Sequence, residues 1–351
     1  MKRTPFRVAL VGNLDRQRFG VLSKLSPAVH PILCRDWTDL ESKLSSFQTE
    51  LVVVLPGTDP APLFPISQPI LVLDPDDLNS APAHLEAKIL GSRAQVGHPH
   101  PLSRLLGVSL AMARVRGSLH CLSQSPLPLL LTGENGTGKD LAASLAHQLS
   151  PRAAAPFVPV NCGAIPSSLA ETELFGSVRG AFTGAENRSG FCQQAWGGTL
   201  FLDEVGELPP EIQAKLLRVL ENGEIHRVGS NRVEQADFRL ICATNRDLEA
   251  EVAAGRFRQD LYYRIEVLPL RMPPLRERLE DIPLLAAHFL ESEALGLNRP
   301  VRLGKRALAK MTDYHWPGNI RQLRNVLFRA AIMNNVTELE AHHLQWDSRR
   351  I

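Results

Sequence analysis

Over the first 78 residues short apolar runs alternate with amphipathic stretches. Residues 6–11, 31–34, 51–55 and 69–73 have the length and apolar content of strands, and 16–25 and 37–44 have the spacing of helices. That rhythm predicts a small parallel sheet covered by helices. From 74 to about 101 the chain turns to Pro, Ala, His and Ser, the make-up of an exposed linker. Beyond about Leu102 the strand-like runs return at 127–131, 157–160, 199–202 and 238–243, again with helices between them. Both parts therefore read as α/β, with no tandem repeat and no long low-complexity segment.

A length of 351 residues suits two or three domains, each able to bury a core. No apolar run approaches the roughly 18 residues of a membrane span. The basic start, residues 1–7, is followed at 8–11 by an apolar stretch far shorter than that of a secretory signal, without a small-residue cleavage site. The expected location is the cytoplasm, away from membranes. Cys34, Cys121, Cys162, Cys192 and Cys242 are odd in number, scattered and free of any Cys-x-x-Cys, which indicates neither a disulfide framework nor a zinc site. A net charge of +2 gives no overall electrostatic reason to expect nucleic acid as the main partner.

Chemistry concentrates in two places. Apolar residues 129–131 lead through Thr132 into Gly133-Glu134-Asn135-Gly136-Thr137-Gly138-Lys139-Asp140 and then into a helix-forming stretch at 141–146. Glycines let backbone N–H groups curl round phosphate oxygens, the helix N-terminus adds favourable partial charge, and Lys139 can reach the outer phosphates. The residue after such a lysine is usually Ser or Thr, whose hydroxyl holds magnesium; here it is Asp140. The second place is Gly197-Gly198-Thr199-Leu200-Phe201-Leu202-Asp203-Glu204, an apolar strand ending in two carboxylates. A metal-nucleotide site needs one acid to hold magnesium through water and another to orient the attacking water, and Asp203 and Glu204 fit these roles in that order. On their own, two acids at a strand end read equally well as a solvated cap. Downstream of a phosphate loop they read as its catalytic partner.

These motifs resemble those of the sigma-54-dependent transcriptional activators, the bacterial enhancer-binding proteins of the AAA+ ATPase family. In that family an acidic residue commonly follows the loop lysine, as Asp140 does. Glu173-Leu174-Phe175-Gly176 is followed by Gly180-Ala181-Phe182-Thr183-Gly184-Ala185, and this hexapeptide resembles the family's signature loop, by which the motor touches the sigma factor. Alone it would be a glycine-flanked turn with Phe182 tucked into a core. Gly180 and Gly184 permit a sharp excursion, while Ala181, Phe182, Thr183 and Ala185 give it an apolar tip suited to a partner. The resemblance runs in order from about residue 104 to residue 335, roughly two thirds of the chain.

The resemblance implies roles for further residues. Asn161 restrains the catalytic glutamate until the partner is engaged. Thr244 and Asn245, in Ala243-Thr244-Asn245, sense the terminal phosphate. Arg258 and Arg264 reach the nucleotide of a neighbouring subunit, a task suited to a permanent charge on a planar fork. Arg321, in Trp316-Pro317-Gly318-Asn319-Ile320-Arg321, contacts nucleotide from a helical lid. The alternative for Arg258 and Arg264 is a surface ion pair, and by periodicity alone Arg321 would be a solvated helix arginine. Pro317 and Gly318 break the preceding helix, and Asn319 is expected to cap the next.

The implied fold is an N-terminal receiver-like (flavodoxin-like) module with its linker at 1–98, an AAA+ P-loop α/β subdomain at 99–270 and a C-terminal α-helical lid at 271–351. The first module resembles the receiver domain of response regulators in layout only. Where a receiver places its acidic residues, this chain has Gly12-Asn13 and Leu55-Pro56-Gly57, so phosphorylation is not expected. The implied function is an ATP- and Mg2+-dependent motor, a hexameric ring that remodels sigma-54 RNA polymerase. Residues 336–351 are too few for a helix-turn-helix, so no intrinsic sequence-specific DNA binding is expected. Two rivals stay open: a regulatory subunit that holds ATP within a mixed ring with a related activator, and a different AAA+ machine acting on DNA or protein. The full set Lys139, Asp203, Glu204, Arg258 and Arg264 speaks against the first, and residues 180–185 against the second.

Overall fold

The computed structural model describes residues 6–11, 29–34, 51–54, 70–72, 101–181, 186–291, 299, 301–334 and 336–346. The chain divides into two units, 1–117 and 118–351. In the first, β1 (Phe6–Val11), β2 (Val29–Cys34), β3 (Leu51–Val54) and β4 (Ile70–Val72) form one parallel sheet in the order β2-β1-β3-β4. Parallel neighbours require long crossover connections rather than hairpins, and this order is the one that opens a flavodoxin-like winding. Val11 and Cys34 face each other in register, and neither is exposed to solvent. The four expected strands are present. The expected helices at 16–25 and 37–44, Gly12-Asn13 and Leu55-Pro56-Gly57 lie outside the described residues.

Helix α1 (Leu110–Ser123) crosses the boundary in sequence. In chain order the strands of the second unit are β5 (Leu129–Thr132), β6 (Phe157–Asn161), β7 (Thr199–Asp203), a short antiparallel pair β8 (Glu224–His226) and β9 (Val233–Gln235), β10 (Arg239–Thr244) and β11 (Leu268–Arg271). Five of them make a parallel sheet in the order β11-β5-β10-β7-β6. Parallel sheets are covered on both faces, so their inner strands are apolar throughout rather than alternating. All six residues of β10 are buried, as are the first four of β7. The edge strands β6 and β11 contain Pro159 and Pro269, tolerable there because an edge strand has one side free of ladder bonds. β11, four residues long with Leu270 alone fully buried, is not among the expected strands.

The helices that cover this sheet are α2 (Lys139–Gln148), α3 (Ser167–Phe175), α4 (Phe191–Gln194), α5 (Pro210–Asn222), α6 (Leu248–Ala253) and α7 (Gln259–Ile265). Helix α5 shows how sequence sets an element. Pro210 stands at the first helical position, where its missing N–H costs nothing. Ile212, Leu216 and Val219 recur on one face and are buried against Leu202, Cys242, Leu261 and Ile265 of the core. Gly223 ends the helix in the left-handed conformation, φ 68°. Full burial of Ile212 or Leu216 contributes about 1.5–3 kcal/mol each. Arg239, at the start of β10, is 2% exposed; its guanidinium donates to the Leu122 and Ser123 carbonyls at 2.7 Å each and so finishes the C-terminal end of α1.

After β11 come α8 (Ile282–Glu291), α9 (Lys305–Thr312) and α10 (Asn319–Met333), with a two-residue parallel pair of β12 (Arg302–Leu303) and β13 (Glu338–Leu339). Trp316, completely buried, donates its indole N–H to the Met311 carbonyl at 2.8 Å and packs with Tyr314 and Trp346. Among the described residues no helix is long and apolar enough to cross a membrane. The five cysteines carry no disulfide, and Cys121 is the exposed one.

Candidate functional site

In a parallel sheet all strands end at the same edge, and the loops that leave that edge collect the ligand-binding residues. β5 ends in the glycine-rich loop. Gly133 N–H donates to the Thr244 carbonyl of β10 at 3.2 Å, and Met272 N–H donates to the Thr132 carbonyl at 2.7 Å, so the loop is anchored from both sides. Lys139, the first residue of α2, is only 7% exposed, and its Nζ donates to the Gly133 and Glu134 carbonyls at 2.7 and 3.1 Å. Gly138 adopts φ 102°, a conformation that L side chains rarely take, and a Cβ built there would meet no atom within 4 Å. The turn thus leaves its backbone N–H groups room for phosphate oxygens. Gly136 is different: its α-carbon is pressed against the Gly318 carbonyl.

Asp203 ends β7, and Asn161 ends β6 directly opposite it in register. Glu204 follows at φ 55°, and Asp203 Oδ1 accepts its N–H at 3.0 Å. Among the described non-glycine residues only Glu204, Trp316 and Asn319 have positive φ. Such conformations cost of order 1–3 kcal/mol and gather where function needs them. The Glu204 carboxylate lies against Gly163, where an added Cβ would collide with its Oε2 and sit 3.4 Å from Asn161 Oδ1. Asn161 Oδ1 itself accepts the Ala164 N–H at 3.1 Å. The register and this shared neighbour therefore bring Asn161, Asp203 and Glu204 together. Thr244 is buried at the end of β10, its Oγ1 accepting the Arg246 N–H at 3.0 Å, while Asn245 beside it is exposed.

Burial lowers the pKa of the Lys139 ammonium, and Asp203, Asp140 and Glu204 oppose that shift. Burial raises the pKa of Asp203, with the nearby Asp140 carboxylate adding to it. Burial first, and then Asp203 and Glu204, push the Cys162 thiol up to about 12, so it stays neutral. A carboxyl whose pKa is raised by folding binds more protons folded than unfolded. Its contribution to stability is therefore lost as pH rises from its unfolded value through its folded one. Asp203→Asn is accordingly expected to raise the melting temperature of the nucleotide-free chain at neutral pH, with the gain fading below about pH 4, where the unfolded carboxyl is protonated. Melting curves of both proteins across pH check this; an equal or lower melting temperature at pH 7 would refute it. Among the described residues no group of three or more His, Cys, Asp and Glu is arranged to hold a metal by itself. Magnesium is commonly held by one or two carboxylates together with phosphate oxygens and water, and Asp203 and Asp140 fit that need.

Arg258 stands at the N-cap of α7 and Arg264 in its last turn, and both are occupied elsewhere. Arg258 clasps Asp260 with both arms of its guanidinium, at 3.0 and 2.7 Å, and its N–H donates to Gln213 Oε1 at 2.8 Å. Arg264 donates to the Leu220 carbonyl at 2.7 Å. Both side chains are exposed. Gln213, unmarked in the sequence reading, is wholly buried, and its Nε2 also bonds the Leu208 and Arg256 carbonyls. Its signal was a polar residue on the apolar face of α5.

Arg321 stands in the first turn of α10 beside the loop: Ile320 N–H donates to the Gly136 carbonyl at 3.0 Å. Asn319 does not cap this helix. Gly318 occupies the cap position without a side-chain bond, and the Asn319 side chain turns to Glu134, Asn135 and Leu275. The residue expected as a cap is instead completely buried between the lid and the loop.

Of the signature hexapeptide, Gly180 and Ala181 are described and Phe182, Thr183, Gly184 and Ala185 are not. The base of the loop is bound on two sides. Ser177 and Arg188 exchange backbone hydrogen bonds at 3.0 Å, and Val178 N–H donates to the Val228 carbonyl, in the β8–β9 hairpin turn, at 3.1 Å. A Cβ at Gly229 of that turn would collide with Ala181.

A parallel sheet carrying a phosphate loop on β5, paired carboxylates at the end of β7 and a helical lid closed on the loop define a P-loop ATPase domain of the AAA+ class. Residues 105–271 match the Sigma-54 interaction domain, and residues 276–350 match the AAA+ ATPase lid domain. The chain belongs to the sigma-54-dependent activator family of AAA+ ATPases. It is 49% identical over 245 residues to the response regulator protein PilR of Pseudomonas aeruginosa, covering 69% of this chain and 55% of PilR. It is 48% identical over 264 residues to the anaerobic nitric oxide reductase transcription regulator NorR of Salmonella newport, covering 73% of this chain and 52% of NorR. The chain thus spans about half the length of these curated relatives. Among solved structures, NtrX from Brucella abortus in complex with ADP superposes with a TM-score of 0.65 at 29% identity, covering 97% of this chain and 84% of that one. NtrX in complex with ATP gives 0.64 at 28%, with the same coverage.

Proposed function

We propose that this chain hydrolyses ATP in a ring, six subunits by the family's pattern, and uses the cycle to remodel sigma-54 RNA polymerase. The observation that carries the reading is the grouping of Lys139, Asp203, Glu204, Asn161 and Thr244 round one glycine-rich loop, in the same subunit as the partner-facing loop at 180–185. Lys139 offsets charge on the outer phosphates, and backbone N–H groups of 133–138 orient them. Magnesium, held through water by Asp203 with Asp140 nearby, would neutralise phosphate charge. Glu204 orients the attacking water, and Asn161 beside it restrains that carboxylate. Arg258 and Arg264, exposed at the two ends of α7 and bonded to Asp260 and Leu220, complete the site of the next subunit, which is why a ring is required. Arg321 contributes from the lid. Residues 1–98 serve as a receiver-like regulatory module that takes its signal without phosphorylation.

The test is ATP turnover against protein concentration, with and without sigma-54 polymerase on a premelted promoter and a transition-state nucleotide mimic. Turnover that rises cooperatively, together with a trapped sigma complex, supports the reading. Nucleotide binding without turnover or trapping overturns it and points to a regulatory subunit of a mixed ring.

A further inference from the structure

The lid grips the phosphate loop residue by residue. Arg276 donates from both guanidinium nitrogens to the Glu134 carboxylate, at 2.9 and 2.6 Å. Asn319 Nδ2 donates to Glu134 Oε2 at 3.1 Å and to the Asn135 carbonyl at 3.0 Å, while its Oδ1 accepts the Leu275 N–H at 2.7 Å. Ile320 N–H takes the Gly136 carbonyl, and the buried Arg278 takes the Thr137 carbonyl at 3.0 Å. Four consecutive loop residues, 134 to 137, are thus each bonded to residues 276–320. The approach at Gly136 is backbone to backbone: an added Cβ would lie 2.5 Å from the Gly318 carbonyl oxygen and 3.0 Å from Arg321 Cβ.

Asn319 holds this place in a left-handed conformation, φ 49°, with no exposure to solvent. Asparagine enters that region more readily than other side chains, and three side-chain hydrogen bonds offset the strain. The two-armed Arg276–carboxylate pair is the strong, geometrically exacting kind. The Arg276 hydrogen bonds, with a smaller one from Asn319, hold the Glu134 carboxyl below the usual carboxylate range, so the pair stays charged at neutral pH.

The sequence reading counted Glu134 with the loop residues at the nucleotide, yet its carboxylate is spent on the lid. Arg321 lies two residues past Asn319 on the same rigid turn, so whatever fixes Asn319 fixes Arg321. We propose that Glu134 and Asn319 form a latch through which the phosphate loop positions the lid, making Glu134 a positioning residue for Arg321. This rests on the ATP-binding reading above. A loop that shifts to take up or release phosphates carries the latch, and hence Arg321, with it.

The experiment is a double-mutant cycle on the full chain, reading the Kd of a fluorescent ATP analogue for the unaltered protein, Glu134→Ala, Arg321→Ala and both together. If Glu134 acts through Arg321, each single change weakens binding about tenfold and the pair weakens it little more than either alone, because neighbours in one network are not additive. Glu134→Gln, which keeps a side-chain oxygen to accept from Asn319 Nδ2, is expected to stay within about threefold of the unaltered protein. Multiplied effects, about a hundredfold in the pair, overturn the latch, as does an unaffected Glu134→Ala. Should Glu134→Ala fail to fold, as judged by melting, the same cycle with Arg276→Ala in its place decides: an effect that adds little to that of Arg321→Ala supports the latch and a multiplied effect overturns it. Absence of binding by the unaltered chain would sink the nucleotide reading and the latch with it, whereas loss of binding in Arg321→Ala alone sinks only the latch.

Discussion

Lys139→Ala is expected to abolish ATP turnover and to weaken ATP binding at least about a hundredfold, the equivalent of one strong charge-assisted contact. The ammonium is the one cation at the head of α2, 7% exposed, and Asp203, Asp140 and Glu204 act on it together. Without it three carboxylates would face the phosphates with no compensating charge from the loop. The Gly133 and Glu134 carbonyls would also lose the donor that holds the turn closed. Calorimetric titration with ATP and a phosphate-release assay read both effects. Turnover within about threefold of the unaltered protein would remove Lys139 from the phosphate site.

Phe182→Ala should do the reverse: turnover within about twofold and loss of sigma-54 engagement, because large aromatic anchors carry most of an interface's binding energy. Residue 182 itself is outside the described region, but the base of its loop is rigidly set between Arg188 and Val228. A loop anchored at its foot and apolar at its tip can lose the tip without disturbing Lys139 or Glu204. Trapping of sigma-54 polymerase and open-complex formation are measured beside turnover. Normal promoter activation by this variant would sink the proposed mechanism.

The strands legible in the sequence include the inner ones of the parallel sheet, where burial on both faces leaves runs such as 200–202 and 240–243 with no polar interruption. β11 is four residues long with Leu270 alone fully buried, and β8 and β9 are three residues each and mostly polar, too little apolar pattern to mark a strand. The loop and the two acids were legible because each is contiguous. Asn319 was misread because a local rule, asparagine before a helix, competes with partners 185 and 44 residues away in the chain. Gln213 and Arg278 were invisible for the same reason: a lone polar residue among Ile212, Leu216 and Leu217, or one arginine in a charged run, reads as solvated until the fold buries it.

The Arg258–Asp260 clasp bears on how subunits would meet. An exposed, solvent-screened pair of this kind adds little to the stability of its own subunit, so it is easily surrendered. In the proposed ring a neighbour's triphosphate, with several charges, would outbid a single carboxylate, and a neighbour with an unloaded site would offer nothing in exchange. Association would therefore discriminate between loaded and unloaded neighbours even before any shape change. Dissolved salt weakens the old pairing along with the new one, so the strength of the ring should respond to ionic strength less steeply than a count of its interfacial charges suggests.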